Sequence, residues 1–230
     1  MTEEGLSEAL WLADHSREEL ETVHQIILQS IDQLNLELRL PISSVKSEII
    51  KGVLTRQGTA IGCKALLRLK HHQTITLNVN LPQLSITIDA LYRGVALLTK
   101  IIHGESDLDS MLEAATRVYD LLYGARAALM SPVKGCLFPN KINQVAEGIS
   151  ADIFASGSEL VFTVYTFYCE SITGEYRSTK EMAFKTTDPC ILAFLAQIDV
   201  AIQRSKHVCM KLEANKASSK SMSTLNYLIC

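Results

Sequence analysis

The sequence predicts an α+β protein: an antiparallel four-helix bundle built from both chain ends and a central helical hairpin, plus a mainly antiparallel β-domain, both discontinuous in sequence. Three observations predict it. Apolar residues recur at alternating spacings of three and four in four separate stretches, and they alternate with period two in the stretches between. The five prolines, Pro41, Pro82, Pro132, Pro139 and Pro189, fall where one period gives way to the other. Proline disfavours helix in the residue before it and cannot donate to a sheet ladder, so each marks a boundary. Glycine (11) and proline (5) are scarce among 230 residues, so long regular elements outnumber turns. With 47% hydrophobic and 20% charged residues, the chain has ample material for a core, which excludes general disorder.

Taken in order, Leu20, Val23, Ile27, Ile31 and Leu34 form one helix face. The alternation of Asn35–Leu40 then reads as a half-buried strand stopped by Pro41, and Ser47–Thr55, Thr59–Lys70 and Gln73–Leu81 as three strands of a meander. Arg56-Gln57-Gly58 and Lys70-His71-His72-Gln73 supply the turns. Leu84, Ile88, Leu91, Val95, Leu98 and Ile102 make a second helix stripe. Met111, Ala115, Val118, Leu122, Ala125 and Leu129 make a third, with Asp107 or Asp109 as its N-cap. The short link between these two helices forces an antiparallel hairpin. Beyond Pro139, Ile142–Phe154 reads as a short helix, Glu159–Cys169 as a strand buried on both faces, and Gly174 to about Thr187 as a weaker strand. The stripe Ile191, Leu195, Ile198, Ile202, Cys209, Leu212 is helical again, with polar Ser205 in its seam, and serine-rich Asn215–Cys230 reads as a flexible tail. The expected division is therefore 6–34 with 84–131 and 189–214 as the helical domain, 35–82 with 140–188 as the β-domain, and 215–230 as tail.

The net charge of −3 conceals a division along the same boundaries. Residues 1–35 hold eight acids and one base, whereas 36–82 hold two acids and seven bases. On the Thr59–Lys70 strand, Lys64, Arg68 and Lys70 share one face and Ile61, Cys63, Ala65, Leu67 and Leu69 the other. This basic face is the candidate partner-binding surface; as an exposed sheet face it is also what solvation alone would select. A pI near 6.1 and the lack of aromatic residues among the bases argue against nucleic acid. No stretch approaches the ~18 apolar residues of a spanning helix, and the acidic amino end has no signal-peptide pattern, so a cytoplasmic protein is expected.

Motifs that carry chemistry are missing: there is no phosphate-binding loop, dinucleotide fingerprint, H-E-x-x-H or nucleophile elbow, and no cofactor or metal is expected. His71-His72 reads as a solvated turn rather than a metal site, and Asp107-Leu-Asp109 as a cap, since the glycine and closing glutamate of a calcium loop are lacking. Six cysteines without a C-x-x-C pair fit reduced structural thiols. A cysteine nucleophile such as Cys136 would require a histidine and an orienting group brought together by the fold. The helix stripes can satisfy one another within one chain or form an intermolecular zipper; burial of the stripes decides.

Several stretches resemble the Rogdi family, the small subunit of the RAVE complex and its animal counterparts. Lys51-Gly-Val-Leu-Thr-Arg-Gln-Gly58 is the most specific, resembling the family's K-G-V-L-T-x-Q-G turn between strands. Leu38-Arg-Leu-Pro41 after a helix containing Val23-His24, Arg126-Ala-Ala-Leu-Met-Ser-Pro132 and Ser158-Glu-Leu-Val-Phe-Thr-Val-Tyr165 resemble family segments in the family's order. The resemblance covers roughly 8–212 and is weak over Thr173–Lys185. It implies a helical bundle beside a β-domain and a non-enzymatic role in assembly of the vacuolar-type proton ATPase. It also implies a large Rabconnectin-type β-propeller scaffold and soluble-sector pump subunits as partners, with peripheral recruitment to vacuolar or endosomal membranes through them. A helical-bundle adaptor in another complex, such as one of vesicle trafficking, and a cryptic cysteine enzyme are the competing readings.

Overall fold

A computed structural model describes residues 3–43, 50–68, 72–104, 107–131, 144–146, 148–169 and 176–228. The chain is α+β, with four α-helices and two four-stranded antiparallel sheets. Helix α1 (Glu3–Asn35) leads into strands β1 (Glu37–Ser43), β2 (Ile50–Gln57), β3 (Ala60–Arg68) and β4 (His72–Asn80), which pair in sequence order. Helices α2 (Pro82–His103) and α3 (Leu108–Met130) follow. Strands β5 (Gln144–Ala146), β6 (Ile149–Ser156), β7 (Glu159–Cys169) and β8 (Tyr176–Thr187) form the second sheet, again in order, and α4 (Pro189–Leu228) closes the chain.

The chain divides into two compact units. The first holds Met1–Ile31, Asp89–Ala125 and Ala196–Cys230, and is helical in its described residues. Its helices meet in antiparallel pairs. In α1, His15, Glu19 and Ser30 meet Lys211, Arg204 and Gln197 of α4; His24 and Ile27 lie against Thr99 and Gly94 of α2; in α3, Asp109 and Thr116 meet Lys216 and Cys209 of α4. The stripes point inward. Leu20, Val23, Ile27 and Ile31 of α1, Leu91 and Leu98 of α2, Met111, Ala115, Val118 and Leu122 of α3, and Ile198, Ile202 and Leu212 of α4 are all buried.

The second unit holds Asp32–Ile88 and Arg126–Leu195. Leu54, Ile61, Cys63, Ala65, Leu67, Ile75 and Leu77 bury one face of the first sheet. Edge strand β1 approaches β8 and β4 approaches β5, so the two sheets adjoin at both pairs of edges. In β7 every residue from Leu160 to Tyr165 is buried, as its run without alternation predicts.

Four expectations are corrected. Pro41 does not stop β1: the strand runs through it to Ser43, paired opposite Val53. Among the described residues β1 is hydrogen-bonded only to β2, and an edge strand tolerates a proline. Arg56 lies in β2, opposite Ile61, and the turn is Gly58-Thr59, where Gly58 takes φ +56°. The helix expected over Ile142–Phe154 is absent among the described residues, which form β5 and β6; hairpin pairing of β6 with β7 outweighs the local periodicity. The segment read as a tail is helical to Leu228, because nothing after Pro189 breaks the helix: Asn215–Leu228 contains neither proline nor glycine.

Candidate interaction surface

Register in the first sheet shows what shares the outer face with the basic residues named from sequence. Lys64 of β3 stands opposite Val53 of β2 and Thr76 of β4, and it is exposed. Arg68 lies four residues on along the same face and is half-buried; Lys70 lies outside the described residues. Period two adds two cations that the segment-by-segment reading did not collect, Lys51 opposite Leu66 and Arg39 opposite Thr55. Among the described residues of this face the acid is Glu37 of β1, whose carboxylate is 3.7 Å from Arg39. Thr55, Thr74, Thr76 and Asn78 fill the positions between, so the surface is cationic, rich in hydrogen-bonding groups and, among the described residues, without aromatic ones. Its chemistry suits carboxylates on a protein partner.

Behind that face sits a polar node that the sequence reading missed. Arg56 and Asp188 are both fully buried, with Arg56 Nε donating to Asp188 Oδ2 at 2.5 Å. Arg56 also donates from Nη1 to the carbonyl of Leu34, in the last turn of α1, and to that of Gly58. Asp188 in turn caps α4, accepting from the backbone amides of Cys190 and Ile191 at 2.9 and 3.0 Å, and Pro189 occupies the first helical position. One ion pair thus joins the end of α1, strand β2 and the start of α4. The signal was available: Arg56 shares period two with buried Ile50 and Leu54, so it belongs to the inner face, and an inward arginine requires a buried acceptor. Within the same motif, Gly52 leaves no room for a side chain, since a Cβ there would lie 2.6 Å from the Lys64 carbonyl oxygen.

The thiols of Cys63, Cys190 and Cys209 are held protonated. Burial pushes Cys63 up to about 12 and raises Cys190 and Cys209, which disfavours the thiolate a nucleophile needs. Cys136 lies outside the described residues. No group of three metal-ligating side chains occurs among the described residues; His72 begins β4, and His71 lies outside them. Asp107 is the N-cap of α3: its Oδ1 accepts from the Ser110 amide at 2.8 Å, and hydrogen bonds from Ser110 hold the carboxyl below the usual carboxylate range. Asp109 instead pairs with Lys216 at 2.7 Å. No described helix is long and apolar enough to cross a membrane.

The fold and these surfaces define a class first: a two-unit α+β chain whose apolar stripes are consumed internally and whose outer faces carry charge. Comparison with curated proteins found no match. The family model described as Rogdi leucine zipper containing protein matches residues 8–226, and the chain belongs to that family.

Proposed function

We propose that this chain is a non-enzymatic interaction subunit of a RAVE-like complex that promotes or regulates assembly of the vacuolar-type proton ATPase. Membership of the Rogdi family across residues 8–226 is the observation that carries the reading. The antiparallel helix pairs support closure of α1 to α4 into a four-helix bundle, built from 6–34, 84–131 and 189–214, with 35–82 and 140–188 forming a β-domain. The protein acts in the cytoplasm and reaches vacuolar or endosomal membranes through its partners, a large Rabconnectin-type β-propeller scaffold and soluble-sector pump subunits. Lys64, Arg68 and Lys70 contribute the contact, with Arg39 and Lys51 on the same sheet face adding to its field.

Affinity purification of the tagged chain tests this directly. The wild-type protein is expected to recover the scaffold and soluble-sector subunits, and Lys64→Glu/Arg68→Glu/Lys70→Glu to recover them poorly while keeping a wild-type circular dichroism spectrum. Failure of both classes of partner to appear with the wild type defeats the pump assignment; recovery of trafficking components instead selects the adaptor reading. Unchanged recovery by the triple variant removes the basic face from the contact.

A further inference from the structure

The first sheet has two edges, and they are built differently. β1 carries Pro41 together with Glu37 and Arg39, the residue types that discourage another strand from adding. β4 contains no proline, glycine, lysine or acid, and its nine residues pair with β3 without a bulge. One bond shows where its backbone groups point. The Leu81 amide donates to the Thr59 carbonyl, so these two residues are a hydrogen-bonded pair, and such pairs alternate along an antiparallel ladder. Val79, Leu77, Ile75 and Gln73 therefore bond to β3, whereas the N–H and C=O groups of Thr74, Thr76 and Asn78 point away from it. Among the described residues none of these outward groups has a hydrogen-bond partner; β5, three residues long, comes near β4 but belongs to the other sheet. Ile75 and Leu77 are buried and Val79 half-buried, so the edge also borders the core. Outward donors and acceptors beside an apolar row are a template for one more strand.

We propose that β4 is a strand-addition site for an extended segment of a partner protein, running antiparallel to it, with apolar residues continuing the row of Ile75, Leu77 and Val79 and acids on the outer face. Antiparallel pairing is the more stable per residue and is the arrangement of every ladder in this chain. The acids follow from charge: Arg39, Lys51, Lys64 and Arg68 stand on the outer face of this sheet, with Glu37 the acid among the described residues. The same charge disfavours a second copy, because β4 paired with β4 would join two cationic faces into one sheet. The site is held by backbone bonds at the edge and does not depend on the pump assignment.

The test titrates the full chain into fluorescein-labelled peptides in which valine alternates with glutamate or with lysine, read by anisotropy. The glutamate peptide is expected to bind at least ~10-fold more tightly than the lysine peptide. In the antiparallel arrangement the glutamate amides bond to β4, so N-methylation of the glutamates is expected to weaken binding at least ~10-fold and N-methylation of the valines by less than ~3-fold. Thr76→Pro gives β4 the device that β1 already has, and because the Thr76 amide points away from β3 the ladder is kept. It is expected to block binding with an unchanged circular dichroism spectrum, and Asn78→Pro to do the same. No binding by the wild type, equal binding of the glutamate and lysine peptides, equal losses from the two methylations, or binding that survives both proline variants overturns the proposal. Self-association in sedimentation equilibrium that Thr76→Pro abolishes also overturns it, by assigning the edge to a second copy of this chain. Should either variant misfold, the methylated peptides decide on the wild-type chain alone.

Discussion

Arg56 and Asp188 show how much one pair of residues can decide. Each is fully buried, and an ion taken out of water costs several kcal/mol unless its partner and further hydrogen bonds replace the lost hydration. Arg56 finds replacements in Asp188 and in two carbonyls, Leu34 and Gly58. Arg56→Met is therefore expected to lower unfolding stability by about 3–5 kcal/mol, because Asp188 stays buried without its counter-charge. Arg56→Met/Asp188→Asn should cost less than the sum of the two single changes, since asparagine still caps α4 and no charge is stranded. Urea midpoints of the four proteins check this, and additive losses would contradict the coupling. His24 makes a second residue-scale case. Thr99 Oγ1 donates to the Val95 carbonyl, so its oxygen accepts from His24 Nε2, 3.0 Å away, which fixes the neutral Nε2–H tautomer. Burial first, then the nearby charge of His103, lowers the His24 pKa against a smaller opposing pull from Glu21. The unfolded chain, titrating near the ordinary value of about 6.5, then binds the proton more readily than the native state. Above that pH His24 contributes nothing; as pH falls through it, native stability is lost. The melting temperature should drop from pH 7.5 to 5.5, and His24→Gln should reduce that drop; equal drops in both proteins would remove His24 as a cause.

Elements whose periodicity agreed with their packing were legible. The stripe of α3 is buried at all six positions read from sequence, Met111 to Leu129, and β7 is buried on both faces as its Leu-Val-Phe-Thr-Val-Tyr run implied. What stayed hidden depends on partners distant in the chain. Arg56 looks like a turn residue until Asp188, 132 positions away, is seen beside it. Pro41 looks like a stop until the ladder shows that β1 pairs on one side alone. The strands at 144–156 look helical until β7 supplies a pairing edge. Of the candidate surface, Lys64 and Arg68 could be placed on one face from β3 alone, whereas adding Arg39 and Lys51 required the register between strands. Ser205, the polar residue in the α4 stripe, leads to a prediction at this scale. Ser30, Thr87, Thr99 and Thr116 bond back to the carbonyl four residues earlier, but the buried Ser205 hydroxyl has no hydrogen-bond partner among the described residues. Ser205→Ala removes an unsatisfied buried group and adds helix propensity, so it should stabilise the protein by about 1–2 kcal/mol in urea unfolding. A loss of stability would mean that the hydroxyl is satisfied in solution.

At the scale of the whole molecule, the family's leucine-zipper description and this chain's structure make different demands on the same residues. A zipper between two chains needs its a and d positions free to meet a partner. Here Leu84, Leu91, Leu98, Met111, Val118, Leu122, Ile191, Ile198 and Leu212 are at most 3% exposed in one chain alone, so these positions are not free to meet another copy. The heptad spacing therefore records antiparallel packing of a chain on itself, and the charge division between the acidic α1 segment and the basic first sheet falls on surfaces instead. Stability in an obligate dimer rises with concentration, because unfolding is coupled to dissociation, whereas a fold complete in one chain unfolds at a temperature independent of it. The melting temperature of this protein is expected to stay constant over a 100-fold range of concentration, on the order of 1 to 100 μM, and Leu98→Ala to lower it equally at both ends by removing about 2–5 kcal/mol of core packing. A midpoint that climbs with concentration, with a Leu98→Ala penalty largest in the dilute sample, would return the stripe to an intermolecular seam.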